Sequence, residues 1–356
     1  MPPPAAHIHA IGTAVPSHDI HRAFVDWASA RLRDRRESLL FRRMDQRSGI
    51  AARWSVLPAT ADGGSPVADG GFYAVDPLPP TSARMDIYAD AAPALALQAI
   101  RGLADQVALD GITHLVVASC TGFMAPGLDQ VLAARLGLAA DVERTLVGFM
   151  GCYAAVVALR TAHHIVRSEP AARVLVVTVE LSTLHLQPAD TLEPLLAMLQ
   201  FGDGAAAALV TAEPGGFAID RPFAATLPDT ADLIRWAIGD TGFAMHLSGE
   251  VPGHINRALA DPRFRARLLP HGADMIDAWA VHAGGRSILD AVEQALALPP
   301  EALAESRGVL RRYGNMSSAT LMFVLADLLD RPTARTGLAV AFGPGLAADG
   351  FRFLRA

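Results

Sequence analysis

The sequence has only two cysteines, Cys120 and Cys152, in 356 residues, and this scarcity excludes a disulfide-stapled fold. No uninterrupted apolar run approaches about 18 residues, so we expect no transmembrane helix. No basic stripe with interleaved aromatic residues occurs, and the formal net charge is -6, so we expect no nucleic-acid binding. The N-terminal segment lacks a charged stretch followed by an apolar one, and we therefore expect no signal peptide and a cytoplasmic location.

Apolar residues are abundant: the hydrophobic fraction is 51% and the mean hydropathy is +0.28, which indicates a large buried core. Short β-branched runs alternate with helical patterns, and this alternation predicts an α/β protein with helices on both faces of its sheets. The predicted strands cover residues 7–12, 113–119, 173–179, 205–210, 278–282 and 337–342. The predicted helices cover residues 85–109, 127–136, 152–168, 285–298 and 317–330.

The two halves of the chain repeat one another weakly. The run 113–119 with its following glycine resembles 278–282 with its following glycines, and 173–180 resembles 337–343. We therefore predict two halves of similar βαβ build, residues 1–214 and 215–356. Residues 53–81, rich in Gly, Pro, Ala and Asp, predict a surface loop, and residues 225–254 predict an irregular, partly aromatic pocket wall.

Cys152 is the residue whose surroundings point most directly to chemistry. It lies between a short apolar run, Thr145-Leu146-Val147, and the start of a predicted helix. Unpaired backbone N–H groups and the positive end of a helix dipole stabilise a thiolate, which is the nucleophilic form of cysteine. The same context fits a small buried hydrophobic residue, which is the usual role of a free cysteine. Local sequence leaves both roles open.

His282 and Asn315 are two groups that could assist such a nucleophile. His282 ends a predicted buried strand, and small residues after it, Ala283-Gly284-Gly285, let a ligand approach. Asn315 precedes a predicted helix. A cysteine nucleophile needs a basic partner, and acyl chemistry needs donors aimed at a developing oxyanion. Each residue also has an ordinary alternative, a hydrogen-bonded core histidine and a helix N-cap respectively.

The segments around these residues are distinctive when taken together. They are Gly148-Phe149-Met150-Gly151-Cys152, Val281-His282-Ala283-Gly284-Gly285, Tyr313-Gly314-Asn315-Met316-Ser317-Ser318 and Ala341-Phe342-Gly343-Pro344-Gly345. They resemble the type III polyketide synthases, the chalcone and stilbene synthase family, in a bacterial-type member. The resemblance implies a thiolase-like αβαβα five-layered fold built from two duplicated βαβ halves. It also implies a homodimer, with Cys152 in residues 1–214 and His282 and Asn315 in residues 215–356.

The resemblance further implies an acyltransferase with a Cys-His-Asn triad. Cys152 would carry the acyl-CoA starter and the growing chain as a thioester, and His282 would keep Cys152 as a thiolate. His282 and Asn315 would hold the thioester carbonyl of malonyl-CoA and stabilise the enolate formed on decarboxylation. The CoA thioesters are substrates, and we expect no cofactor and no metal.

Further positions carry over from the family to the substrate-binding site. Phe201 and Met245 correspond to two gatekeepers between the CoA tunnel and the cavity, and Gly284 leaves room beside His282. The three positions at which the family binds CoA phosphates are occupied by Arg42, Arg43 and Arg47. The alternative is that these arginines form a solvated helix face. The expected cavity wall comprises Cys120, Ser182, His185, Ala197, Trp236 and Ser317.

The pocket differs from that of plant chalcone synthases, and this difference favours a fatty-acyl starter giving a pyrone or a resorcinol. An all-malonyl synthase of the tetrahydroxynaphthalene type is the alternative. Two other functional hypotheses are compatible with the same fold. One is a ketoacyl synthase of the fatty-acid initiation type, which draws its extender from acyl carrier protein, and the other is a catalytically silent binding protein.

Overall fold

The computed structural model describes residues 4–356, so the first three residues of the predicted N-terminal half lie outside it. The strands in chain order are β1 Ala6–Ala14, β2 His18–Asp19, β3 Trp54–Ser55, β4 His114–Ser119, β5 Glu143–Gly148, β6 Val174–Leu181, β7 Asp203–Thr211, β8 Phe217–Thr226, β9 Ile234–Gly239, β10 Gly242–Leu247, β11 Ala278–Val281, β12 Thr336–Gly343 and β13 Ala347–Arg355. The helices are α1 His21–Arg31, α2 Arg35–Ser48, α3 Thr81–Ala104, α4 Leu128–Leu136, α5 Ala154–Ser168, α6 Leu192–Met198, α7 Val251–Ala260, α8 Pro262–Leu268, α9 Arg286–Leu296, α10 Ala304–Tyr313 and α11 Ser318–Leu329.

Nine strands form one mixed sheet in the order β11-β12-β13-β8-β1-β7-β6-β4-β5. In the first half, β5, β4 and β6 run parallel, and β7 and β1 follow antiparallel. In the second half, β11 and β12 run parallel, and β13 and β8 follow antiparallel. The two halves therefore share one strand pattern, and the antiparallel pair of β1 and β8 joins them.

The alternation of side chains across the sheet explains the layers, because successive residues of a strand face opposite sides. Val116 and Val176 face inward with α5 and α11, and so do Ala280 and Ala339 from the other half. The neighbouring residues of the first-half strands pack outward against α3 and α4, and those of the second half pack against α7 and α9. The result is a helix–sheet–helix–sheet–helix arrangement, which confirms the expected five-layered α/β fold.

All six predicted strands and all five predicted helices are present, with shifted ends. The expectation for residues 225–254 is wrong in part, because this stretch contains the β9–β10 hairpin and the first residues of α7. The expectation of a surface loop over residues 53–81 also needs correction. Arg53, Leu57 and Tyr73 in this stretch are buried. No helix in residues 4–356 has the length and apolarity required to cross a bilayer.

Candidate active site

Cys152 sits at a sharp turn between β5 and α5. Phe149 and Gly151 adopt positive φ angles of 56° and 74°, and a short 3-10 turn, Gly151–Tyr153, then leads into α5. Positive φ in a residue with a side chain costs of order 1–3 kcal/mol and persists only where the surroundings impose it. Here the turn presents Cys152, which is 8% exposed, at the carboxyl ends of the parallel strands.

Packing from both halves of the chain holds this turn. The Gly151 amide donates to Cys120 Sγ at 3.0 Å, so Cys120 supports the turn that carries the other cysteine. A side chain at Gly151 would collide with Pro344, since its Cβ would lie 2.5 Å from the proline Cδ. The Gly343-Pro344-Gly345 segment therefore has a physical role, because it closes directly over the Cys152 turn.

His282 follows β11 immediately, and its backbone amide donates to the Val340 carbonyl at 2.8 Å. The imidazole is 1% exposed, and neither ring nitrogen has a hydrogen-bond partner within residues 4–356. A Cβ at Gly284 would lie 3.3 Å from Nε2, so glycine keeps one side of the ring clear. A buried, unpartnered imidazole is costly unless a ligand uses it.

Asn315 has its amide group fixed by its neighbours. Its Oδ1 accepts from the Ser317 amide at 2.8 Å, and its Nδ2 donates one proton to the Gly284 carbonyl at 3.2 Å. The second Nδ2 proton faces the Cys152 sulfur, and this contact lowers the pKa of the thiol. Helix α11 begins at Ser318, so Asn315 is not its N-cap, and the alternative interpretation of this residue is wrong.

Burial dominates the protonation of the two central groups. It raises the pKa of Cys152 to about 12, against hydrogen bonds from Ser317 and Asn315 that lower it. Burial also lowers the pKa of His282 to about 3. Burial therefore disfavours the thiolate of Cys152 and the imidazolium of His282. Burial thus opposes the thiolate that the sequence predicts at Cys152, and the hydrogen bonds from Ser317 and Asn315 offset it only in part.

Glu180 is a buried carboxyl group that joins the two halves next to this site. Its Oε2 accepts from the Cys120 amide and from Thr121 Oγ1, each at 2.9 Å, and its Oε1 accepts from Ser318 Oγ. Burial raises the pKa of Glu180 to about 7, although these hydrogen bonds oppose the increase. Glu180 was not predicted as a site residue, since a single acidic residue inside an apolar strand forms no recognisable motif.

Two adjoining cavities contain most of the predicted site residues. The first, called the Cys152 cavity, has a volume of about 30 Å³. Its wall includes Cys120, Cys152, His282, Gly284, Asn315 and Ser317. The second, called the inner chamber, has a volume of about 90 Å³ and includes Ser182, His185 and Ala197. Phe201, Trp236 and Met245 line both cavities, so the two expected gatekeepers, Phe201 and Met245, lie together where the Cys152 cavity meets the inner chamber.

The β9–β10 hairpin supplies part of this partition. Trp236 and Met245 are direct partners in its antiparallel register. Phe243 lies two residues before Met245, and its ring stacks on His185 at a centroid distance of 4.1 Å. Phe243 belongs to the predicted pocket wall of residues 225–254, but its contact with His185 depends on the hairpin register and has no signal in the sequence.

His185 lines the inner chamber, but backbone groups occupy both of its ring nitrogens. Nε2 donates to the Thr121 carbonyl at 2.7 Å, and Nδ1 accepts from the Phe243 amide at 3.1 Å. Burial lowers the pKa of His185 to about 4. This histidine shapes the wall, and it has no free nitrogen for an intermediate.

The three predicted arginines on α2 do not lie together at one site. Arg47 lines an outer groove with Arg286, whose Nη1 donates to the Arg47 carbonyl at 3.0 Å. Arg42 instead pairs with Asp26 at 3.0 Å, and Arg43 is exposed. The outer groove shares Met44 and Gln200 with a neighbouring groove, which in turn shares Leu247 and Ile288 with the Cys152 cavity. Arg47 therefore fits the expected CoA role best, and Arg286 is a neighbouring cation that the motif comparison missed.

The duplicated, layered fold and the buried Cys152 cavity define a thiolase-like enzyme. Comparisons with known proteins give the family. Residues 4–214 match the profile of "Chalcone and stilbene synthases, N-terminal domain", and residues 219–355 match that of the C-terminal domain.

The chain is 36% identical over 287 residues to the alpha-pyrone synthesis polyketide synthase-like Pks18 of Mycobacterium tuberculosis, covering 76% of this chain and 72% of the relative. It is 34% identical over 262 residues to type III polyketide synthase C of Arabidopsis thaliana, covering 68% of each. The crystal structure of PKS-I from the brown alga Ectocarpus siliculosus superimposes with a TM-score of 0.87 at 30% identity, covering 99% of this chain and 98% of that one. The C-terminal type III domain of Steely1 from Dictyostelium gives 0.88 at 28% identity, covering 99% of each.

The chain belongs to the chalcone and stilbene synthase family. It is a type III polyketide synthase, an acyltransferase of the class that condenses malonyl-CoA with acyl-CoA starters.

Proposed function

We propose that Cys152 carries the acyl chain as a thioester and that His282 and Asn315 bind the malonyl thioester carbonyl. The observation that carries this proposal is the imidazole of His282, which is buried without a hydrogen-bond partner in residues 4–356 and lines the same cavity as Cys152 and Asn315. Proton transfer from Cys152 to His282 creates both charges together, and attack on the starter thioester then releases CoA. Loss of CO₂ from malonyl-CoA leaves an enolate oxygen, which the imidazole and amide N–H groups stabilise.

The enolate carbon then attacks the Cys152 thioester carbonyl and displaces the Cys152 thiolate, which leaves a chain longer by two carbons on CoA. Transfer of this chain back to Cys152 releases the CoA and permits the next extension. The apolar walls of both cavities support the attack of the enolate, because a carbanion survives only where water and acids are excluded. Arg47 and Arg286 in the outer groove support delivery of the CoA phosphates from the surface.

We propose a fatty-acyl starter and a pyrone product. Apolar side chains line most of the inner chamber, including Phe24, Leu57, Val67 and Phe243, and such a wall suits a hydrocarbon chain. The name of the Mycobacterium tuberculosis relative, an alpha-pyrone synthesis enzyme, supports the product class.

One observation favours the all-malonyl alternative. Ser182 Oγ and the Trp236 indole N–H, both on residues lining the inner chamber, are buried without a partner in residues 4–356. A poly-β-ketone made only from malonyl units carries an oxygen on every second carbon and could accept from both. A hydrocarbon chain could not.

A starter panel tests the function and separates these alternatives. Purified enzyme is incubated with malonyl-CoA and acyl-CoA starters of increasing length, without carrier protein, and products are measured by mass spectrometry. We expect alkylpyrones from fatty-acyl starters, and Cys152→Ala should reduce turnover by at least about 10³-fold, as is typical for loss of a covalent nucleophile. Cys120→Ser is the control. Products that form only after acyl carrier protein is added would support the ketoacyl synthase hypothesis, and a naphthalene from malonyl-CoA alone would support the all-malonyl one.

We also propose a homodimer and a cytoplasmic location. Strand β5 is an edge of the main sheet, and Leu146, Phe149 and Phe123 near it are 45%, 37% and 44% exposed. An apolar sheet edge of this kind is typically covered by another chain. Two free cysteines are compatible with a reducing compartment.

A further inference from the structure

Three side chains with metal-ligating atoms meet at the end of the first-half sheet opposite to Cys152. His114 begins β4, Glu143 begins β5, and Glu169 follows the last residue of α5. Their ligand atoms all lie within 4.8 Å of one another. His114 Nε2 is 3.7 Å from a Glu143 oxygen and 3.9 Å from a Glu169 oxygen. Both distances exceed those of hydrogen bonds, about 2.7–3.2 Å.

The imidazole of His114 is fixed in a position that suits a metal ligand. Its side chain is 7% exposed, and within residues 4–356 Nε2 makes no hydrogen bond. The other nitrogen, Nδ1, lies 2.8 Å from Thr113 Oγ1. That hydroxyl is within 3.3 Å of the Arg173 carbonyl, which can take its proton. Nδ1–H can then donate to Thr113 and leave the lone pair of Nε2 directed at the two carboxylates, the arrangement common around metal-bound histidines.

We propose that His114, Glu143 and Glu169 bind one divalent transition-metal ion of the zinc type, with water as a further ligand. An ion with bonds of about 2.0–2.2 Å in tetrahedral geometry separates its ligands by roughly 3.4 Å, so small side-chain rotations would close the observed distances. The two carboxylates are 73% and 59% exposed and can make this movement. An imidazole ligand favours zinc-like ions, whereas magnesium and calcium require six or more oxygen ligands.

The position of the site gives it a structural meaning. Strand β5 runs from Glu143 towards the Cys152 turn, and α5 returns from that turn towards Glu169. The strand rises about 20 Å over its six residues and the helix about 22 Å over its fifteen, so their free ends meet at one place. A metal ion there would tie together the two ends of the unit whose other end carries Cys152. It would stabilise this unit and take no part in the condensation.

Zinc titration against a chromophoric chelator tests the proposal. We expect metal-free wild-type protein to bind one more equivalent of Zn²⁺ than His114→Gln. Zinc held by the cysteines is common to both proteins and cancels in this difference. His254→Gln is the matched control, because His254 lies 3.7 Å from Glu250 but belongs to no three-residue cluster among the described residues. It should bind as the wild type does.

Two further variants keep the test decisive if His114→Gln folds poorly. Glu143→Gln, at an exposed side chain, should also lose the extra equivalent, and Thr113→Val should weaken zinc binding about 10–100-fold by releasing the imidazole. Zinc should raise the Tm of the wild type and of His254→Gln more than that of Glu143→Gln. Equal zinc stoichiometry and equal Tm shifts in wild type and Glu143→Gln would overturn the proposal, and would leave the cluster as a histidine beside two carboxylates.

Discussion

Replacing His282 with glutamine isolates the contribution of the imidazole to the reactivity of Cys152. Glutamine retains a polar group of similar reach but cannot accept a proton. Under the proposed function, Cys152 of the wild type loses its proton to His282, and the two buried charges compensate one another. In the variant the thiolate has no counter-charge, and the pKa of about 12 that burial imposes on Cys152 controls its ionisation.

The size of the effect follows from that pKa. At pH 7 a thiol with a pKa of about 12 is ionised to about 1 part in 10⁵. An ordinary cysteine with a pKa of about 8.5 is ionised to about 3%. The more basic thiolate is intrinsically more nucleophilic by roughly 30- to 50-fold over this pKa interval. We therefore expect Cys152 of the variant to be alkylated about 10²-fold more slowly than an ordinary accessible thiol.

Iodoacetamide labelling, followed by peptide mass spectrometry, measures this rate at Cys152 between pH 6 and 10. The rate in His282→Gln should rise about tenfold per pH unit throughout, whereas the wild-type rate should be higher and flatter. His185→Gln is the control, because it changes a buried histidine of the inner chamber whose nitrogens bind backbone groups. Identical rates and pH profiles in wild type and His282→Gln would refute this reasoning and assign the reactivity to the backbone amides and the helix end.

Three further predictions concern stability, substrate affinity and product range. Burial raises the pKa of Glu180 from 4.5 to about 7, so its contribution to stability is complete below about pH 4.5 and is lost as pH rises through 7. Between pH 4.5 and 7 the free energy of unfolding of the wild type, measured with urea, should fall by about 3 kcal/mol more than that of Glu180→Gln. An equal pH dependence of the free energy of unfolding in both proteins would contradict this assignment. Arg47→Ala should raise the KM for malonyl-CoA several-fold with little change in kcat. Arg42→Ala, which breaks only the ion pair with Asp26, should leave the KM unchanged. Equal KM values in the two variants would contradict the assignment of Arg47 to the CoA groove. Trp236→Ala should join the two cavities and shift the preferred length of the starter by several carbons in a competition assay. The control Ile238→Ala, at an exposed position of the hairpin, should leave the starter preference unchanged. A shift in both variants would point to a general loosening of the hairpin.

The strands that sequence reasoning found are those buried on both faces. Strands β4 and β6 are continuous apolar runs, so their pattern is clear from the sequence. Strand β8 carries Asp220, Arg221 and Pro222, and its pairing with β13 shifts register at this point, so no alternation is visible. Strand β5 is a mostly exposed edge, and only its Thr145-Leu146-Val147 stretch gives a signal.

The candidate site was predictable where short motifs fix the chemistry, and less so where distant segments meet. Cys152, His282 and Asn315 each lie in a local motif, and the structure brings them to one cavity. The occupied nitrogens of His185 depend on Thr121 and on the β10 backbone, which are 64 and 58 residues away. Such contacts, like the burial that governs the pKa of Cys152, are properties of the folded chain.

The β9–β10 hairpin lies outside the nine-stranded sheet and forms a two-stranded sheet of its own. The main sheet and the two middle helices position Cys152, His282 and Asn315, while the hairpin contributes Trp236, Phe243 and Met245 to the cavity walls. Substitutions in the hairpin can therefore reshape the space available to the chain with little disturbance of the reacting groups. This separation makes the hairpin the natural target for directed evolution of product range, since libraries confined to it should retain folded, reactive enzyme.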